Sequence, residues 1–177
     1  MRIETVTSAQ NRKIRELLTL IEKSKARSTS GLFVVEGQRE LGHCLDAGFI
    51  PETLFVCGEV IARTSADSDD AAGPATGKSR VGAAGGHIIE NIEGKDGLET
   101  LVAKAEALNP RLTLVQIPAF LYEKIAYRGS TEGIIAEVRS VPRRLEDLRL
   151  GKNPLVMVLE TVEKPGNLGA VLRSADA

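Results

Sequence analysis

Short aliphatic and β-branched runs alternate with amphipathic helical stretches along this chain, and that alternation limits its fold more than any single residue does. Leu32-Phe33-Val34-Val35 follows Gly31 and is ended by Glu36-Gly37. Thr53 to Cys57, Leu112 to Ile117 and Gly133 to Val138 repeat the pattern. A helix is expected from about Gln38 to Ala47, with Gly48 at the position that favours a left-handed residue. Leu98, Leu101, Val102, Ala105 and Leu108 mark another, ended by Asn109-Pro110. Phe120, Leu121 and Ile125 give a short third, with Pro118 suited to its first position. Strands separated by helices belong to the α/β class, a parallel or mixed sheet covered by helices.

The clearest helix comes first. Ile14, Leu17, Leu18 and Ile21 recur at i, i+3, i+4 and i+7, one apolar stripe, with Arg12, Lys13, Arg15 and Lys23 mostly off it. Ser8 is the expected N-cap. Residues 1–30 hold seven bases against three acids, although the 177-residue chain has a net charge of −1. Such a basic end attracts a polyanion without making the whole protein adhesive. It reads equally as a solvated amphipathic face.

Residues 63–86 break the rhythm. They are Ala, Gly, Ser, Thr and Asp with almost nothing to bury, the composition of a surface insertion that cannot offset its ordering entropy. Asp67-Ser68-Asp69-Asp70 lacks the distant bidentate Glu and the Gly of a calcium loop, so no metal is expected there. Cys44 and Cys57 lack the paired spacings of a zinc site and the number of a disulfide framework, and read as reduced, packed thiols. His43 and His87 have no Ser or Cys partner in context, which leaves a catalytic triad unsupported. The longest strongly apolar stretch, Leu155 to Leu159, is far short of the roughly 20 residues of a membrane helix. Met1 to Lys13 is too polar for a signal peptide, so a cytoplasmic protein with no membrane partner is expected.

The last segment carries the most chemistry. Leu155-Val156-Met157-Val158-Leu159 reads as a strand buried on both faces. A turn from Glu160 through Gly166 follows, and then a helix from Asn167 to Ala175. Strand, glycine-bearing turn and helix start together aim backbone N–H groups at an anion. Asn167 can cap the helix, Gly166 and Gly169 allow close approach, and Arg173, one turn beyond Gly169, can reach back toward the helix start. An ordinary strand-to-helix turn with a capping Asn accounts for the same residues. The P-loop spacing and the three-glycine dinucleotide fingerprint are both missing, and Gly77-Lys78-Ser79 has no strand before it.

Asn167-Leu168-Gly169-Ala170-Val171-Leu172-Arg173 resembles the first signature motif of the SpoU-type RNA ribose 2′-O-methyltransferases of the SPOUT superfamily, Asn-x-Gly-Ala-x-x-Arg after a buried strand. Asn11 and Lys13, Arg27, then Phe33-Val34-Val35-Glu36-Gly37 with Arg39 and Glu40 resemble the substrate-binding domain that precedes the catalytic domain in that family. Tyr127 to Ala136 is similar to the loop and final strand of the same domain. Lys164 departs from the pattern, since many members have Asp before the proline.

The resemblance implies an α/β/α RNA substrate-binding domain over residues 1–145, like small kink-turn-binding ribosomal proteins. Residues 153–177 then correspond to the first strand and helix of a knotted methyltransferase domain. It implies methyl transfer from S-adenosylmethionine to a ribose 2′-hydroxyl of rRNA or tRNA, with Arg173 at the reaction centre, Asn167 in support and Glu160 nearby. Arg12, Lys13, Arg27, Glu36, Arg39, Arg128 and Thr131 are the implied RNA-binding residues. In the family the cofactor loops, which also form the homodimer interface, come later than Ala177. Residues 1–177 are therefore expected to be an amino-terminal fragment that binds RNA and not the cofactor. The alternative is a non-catalytic RNA-binding module.

Overall fold

The structure is a computed structural model, and it describes residues 1–69, 96–127, 132–160 and 165–176. Two compact units divide the chain, Met1–Val141 and Pro142–Ala177.

In the first unit, β1 (Arg2–Thr5) leads to α1 (Arg12–Glu22), α2 (Ser24–Ser30) and β2 (Leu32–Glu36). Then come α3 (Gln38–Asp46), β3 (Pro51–Val56), α4 (Gly58–Asp69), α5 (Asp96–Leu108), β4 (Thr113–Gln116), α6 (Ala119–Ile125) and β5 (Ile134–Arg139). The five strands form one mixed sheet in the order β1-β4-β3-β5-β2. The β1, β4 and β3 ladders are parallel, while β5 runs antiparallel to both β3 and β2.

Alternation along the strands sends side chains to two cores. Phe55, Val115 and Ile135 meet Ile14 and Leu17 of α1 and Leu121, Tyr122 and Ile125 of α6. Leu54, Val56, Leu114, Ile134 and Ala136 meet Leu41 and Leu45 of α3 and Leu98 and Ala105 of α5 on the other side. Layers of helix, sheet and helix result, as the alternating sequence requires.

Several local expectations shift. Asn11, not Ser8, caps α1: its Oδ1 accepts from the Lys13 N–H at 2.9 Å, while Ser8 heads the preceding turn. The buried stripe of α1 is Ile14, Leu17 and Leu20, with Leu18 and Ile21 half-buried at its margin. Strand β1 has no counterpart in the sequence reading, because four residues with only Ile3 apolar leave almost no period to see. Helix α4 continues through residues 63–69, expected as the start of a loop. Val60 and Ile61 anchor its first turn in the two cores, and each further residue then adds a helical hydrogen bond. The rest of that expected insertion lies outside the described residues, as does His87-Ile88-Ile89, an apolar run that reads in the sequence as a short strand.

In the second unit, a 3₁₀ turn at Leu145–Asp147 precedes an irregular stretch, and α7 spans Pro165–Asp176. Leu155 to Leu159, expected as a strand buried on both faces, has no strand partner and is exposed. A strand exists only by pairing, and the described residues of this unit offer no second one. Helix α7 starts at Pro165, so Asn167 lies within its first turn instead of capping it. Proline's fixed φ and missing N–H suit the first helical position.

Candidate nucleic-acid interface

Two of the motif segments meet at one end of the sheet. Glu36 ends β2 opposite Ile135 of β5, and Gly37 follows with φ +105°, its N–H donating to the Ile134 carbonyl at 3.1 Å. Gly37 has no side chain with which to cap α3. Glu132, just before β5, does so from across the sheet: its Oε2 accepts from the Gln38 N–H and, at 3.3 Å, from the Arg39 N–H. The Gln38 side-chain amide returns a bond to the Glu132 carbonyl at 2.9 Å. A carboxylate there satisfies free helix donors and faces the positive end of the helix dipole. Glu36 does a parallel job, its Oε2 accepting from the Tyr127 N–H at 3.0 Å. Glu132 was missed from sequence, since a cap supplied from 94 residues away has no local signature.

Gly133 makes this junction possible. At φ +74° it packs so closely that a Cβ would meet the Ile61 side chain, the Cys57 carbonyl at 2.9 Å and the Ile61 nitrogen at 3.0 Å. The Gly133 carbonyl accepts from the Cys57 N–H at 2.9 Å, tying β5 to the start of α4.

The basic candidates divide between places. Arg12 is exposed on α1, its Nε 2.7 Å from Glu16 Oε1, and that carboxylate holds the guanidinium pKa above its ordinary value. Lys13 Nζ lies 3.6 Å from Glu4 Oε2. Arg12, Arg15, Glu16 and Thr19 line an open surface depression of about 320 Å³ along α1. Arg39 is exposed at the start of α3. Since α1 and α3 cover opposite faces of the sheet, Arg12 and Lys13 do not share a face with Arg39. Arg27 makes contacts within the α1–α2 hairpin. Its Nη1 donates to the Leu20 and Ile21 carbonyls at 2.7 and 3.0 Å, closing the last turn of α1. Arg128 and Thr131 lie outside the described residues.

Beneath α1, Glu137 of β5 is 8% exposed beside Thr53. Burial raises its pKa, against a hydrogen bond from Thr53 and the charge of Lys13, with Glu16 and Glu52 adding to the rise. Burial likewise pushes up the Cys57 and Cys44 thiols. Among the described residues no cluster of three or more His, Cys, Asp or Glu is arranged to hold a metal.

In the second unit, Arg173 is exposed and its guanidinium folds back along α7, with Nη1 3.4 Å from where a Gly169 Cβ would stand. Asn167 is exposed nearly two turns earlier, Gly166 lies in the same helix and Glu160 is exposed in the irregular stretch before it. No helix among the described residues is long and apolar enough to cross a membrane.

A solved structure described as an RNA 2′-O ribose methyltransferase is 28% identical over 97% of this chain and 51% of its own, with a TM-score of 0.61. The SpoU methyltransferase AviRb from Streptomyces viridochromogenes, in complex with AdoMet, shares the fold at 17% identity and TM-score 0.63, over 94% of this chain and 49% of its own. An AdoMet-bound rRNA methyltransferase from Sinorhizobium meliloti shares it at 17% identity and TM-score 0.60, over 98% and 51%. The chain thus spans about half the length of these structures. No curated protein sequence matches it. The sequence profile described as the MRM3-like substrate binding domain matches residues 11–136, well over half of the 177, and the chain belongs to that family.

Proposed function

We propose that residues 1–141 bind RNA and that the chain is the amino-terminal part of an enzyme that methylates ribose 2′-hydroxyls in rRNA or tRNA. The carrying observation is α1, inside the matched span: it buries Ile14, Leu17 and Leu20 and leaves Arg12 and Arg15 exposed along an open surface depression. Two flexible cations on a fixed helix can meet successive phosphates, and that charge contact supplies most sequence-independent affinity. Arg39 adds a cation on the opposite face, and Arg128 and Thr131 belong to the same proposal through the motif they share with the family.

S-adenosylmethionine is the methyl donor this family implies. Asn167, Leu168 and Arg173 stand exposed, and no described residue of the second unit closes over them. These residues do not fit around a cofactor by themselves, so no catalytic step is assigned to this chain. Arg173, permanently charged and folded toward the helix start, is suited to gripping a phosphate and to stabilising developing charge. A non-catalytic RNA-binding module is the second reading, favoured by that same openness around α7.

A salt titration of RNA binding tests the proposal. Affinity is expected to fall linearly in log–log form as salt rises, and Arg12→Ala or Arg15→Ala should each reduce the slope by about one. An absence of binding at low salt would overturn both readings. In a polypeptide extended to include the cofactor loops, Arg173→Ala should abolish methyl transfer while RNA affinity holds. Turnover like that of the unchanged protein would separate the enzyme reading from Arg173.

A further inference from the structure

We propose that Tyr127 is a stacking platform for an unpaired RNA base, held in place by Glu36; this rests on the RNA-binding reading above. The chain has six aromatic residues, four Phe and two Tyr. Phe55 and Tyr122 are fully buried, and Phe33 packs edge-on against Phe49 with ring centroids 5.6 Å apart. Phe120 on α6 is 61% exposed, and Tyr127, just past the end of that helix, is the most exposed ring at 81%. A protein this poor in rings leaves one of its two tyrosines outside both cores.

Its backbone is nonetheless fixed. The Ala126 N–H closes α6 on the Tyr122 carbonyl at 2.8 Å, and the next N–H, that of Tyr127, donates to Glu36 Oε2 at 3.0 Å. A ring on anchored backbone has two side-chain torsions left to lose on binding, which keeps the entropic cost of stacking low. The flat face of a base is the group that stacks on a phenol ring, whatever the sequence, because every base has a π-face. Glu36, expected from the motif to bind RNA itself, becomes a positioning residue for Tyr127.

The absence of Trp makes the test direct, because intrinsic emission comes from the buried Tyr122 and the exposed Tyr127 alone. The full chain is titrated with an RNA hairpin carrying an unpaired loop, and tyrosine emission and affinity are followed together. Emission should fall on binding in the unchanged protein. Tyr127→Phe should keep the affinity but lose the RNA-dependent quench. Tyr127→Leu should weaken binding about 5- to 150-fold, the range that ~1–3 kcal/mol of stacking per base converts to, with the salt slope unchanged. Glu36→Gln, whose amide oxygen still accepts from Tyr127, should bind like the unchanged protein, whereas Glu36→Ala should lose affinity toward the Tyr127→Leu value. Full affinity in Tyr127→Leu, with Arg12→Ala still lowering the salt slope, would overturn stacking and leave RNA binding intact. Failure of the unchanged chain to bind RNA at low salt would overturn both.

Discussion

Replacing Gly133 with alanine should destabilise the first unit more than the same change at any other left-handed glycine with open space around it. Gly31, Gly48 and Gly133 have φ of +67°, +78° and +74°, so each substitution meets similar backbone strain. A non-glycine residue in that region costs roughly 1–2 kcal/mol. A Cβ at Gly31 or Gly48 meets nothing within 4 Å, whereas at Gly133 it presses on Ile61, 1% exposed, and on the Cys57 carbonyl. Neither neighbour can withdraw, because Ile61 is packed among Leu54, Val56 and Ile134, and the carbonyl accepts from the Ile61 N–H at 3.1 Å. Overpacking of this kind adds about 1–3 kcal/mol, for a total near 2–5 kcal/mol. With a urea m-value of ~1.5 kcal/mol/M, the midpoint should fall by about 1–3 M for Gly133→Ala and by about 1 M for Gly48→Ala. Urea unfolding of the full chain followed by circular dichroism gives both numbers. Amide exchange at Gln38 and Arg39 should quicken at the same time, since Gly133 holds Glu132 against their N–H groups. Equal shifts for the two substitutions would refute the close-packing account, leaving backbone strain alone.

Other outcomes follow from the same contacts. Glu137 has a folded pKa raised above its unfolded value, so its contribution is most favourable at acid pH and declines as pH rises through the folded pKa. Glu137→Gln should therefore be the more stable protein at neutral pH, with the advantage shrinking toward pH 4 in urea titrations, and a constant difference across pH would contradict the burial argument. Arg27→Ala should lower the unfolding midpoint by ~1–2 kcal/mol in free energy while leaving the salt slope of RNA binding unchanged, because its guanidinium serves the Leu20 and Ile21 carbonyls. A slope reduced by about one in a stably folded Arg27→Ala would return this residue to the phosphate contacts. Leu155 and Val158 are 90% and 86% exposed in an apolar run, a surface prone to pairing with another copy. Val158→Lys should reduce self-association in sedimentation velocity, and an unchanged association constant would place the contact elsewhere.

Periodicity made the alternating elements legible before any coordinates. Strands β2 to β5 and helices α1, α3, α5 and α6 fall within a few residues of where apolar spacing, Gly48 and Pro118 put them, since local hydrogen bonding and burial period act over short spans. The motif at Asn167 to Arg173 likewise carried the resemblance to the family in the sequence alone. What the sequence could not carry was any relation between residues far apart in the chain. Glu132 capping α3, Glu36 anchoring Tyr127 and Arg27 closing α1 depend on which strands lie side by side, and the order β1-β4-β3-β5-β2 is decided by packing of the whole sheet. Tertiary structure also denied the strand expected at Leu155 to Leu159, because apolar composition favours burial but only a neighbouring strand supplies the hydrogen bonds that make it one.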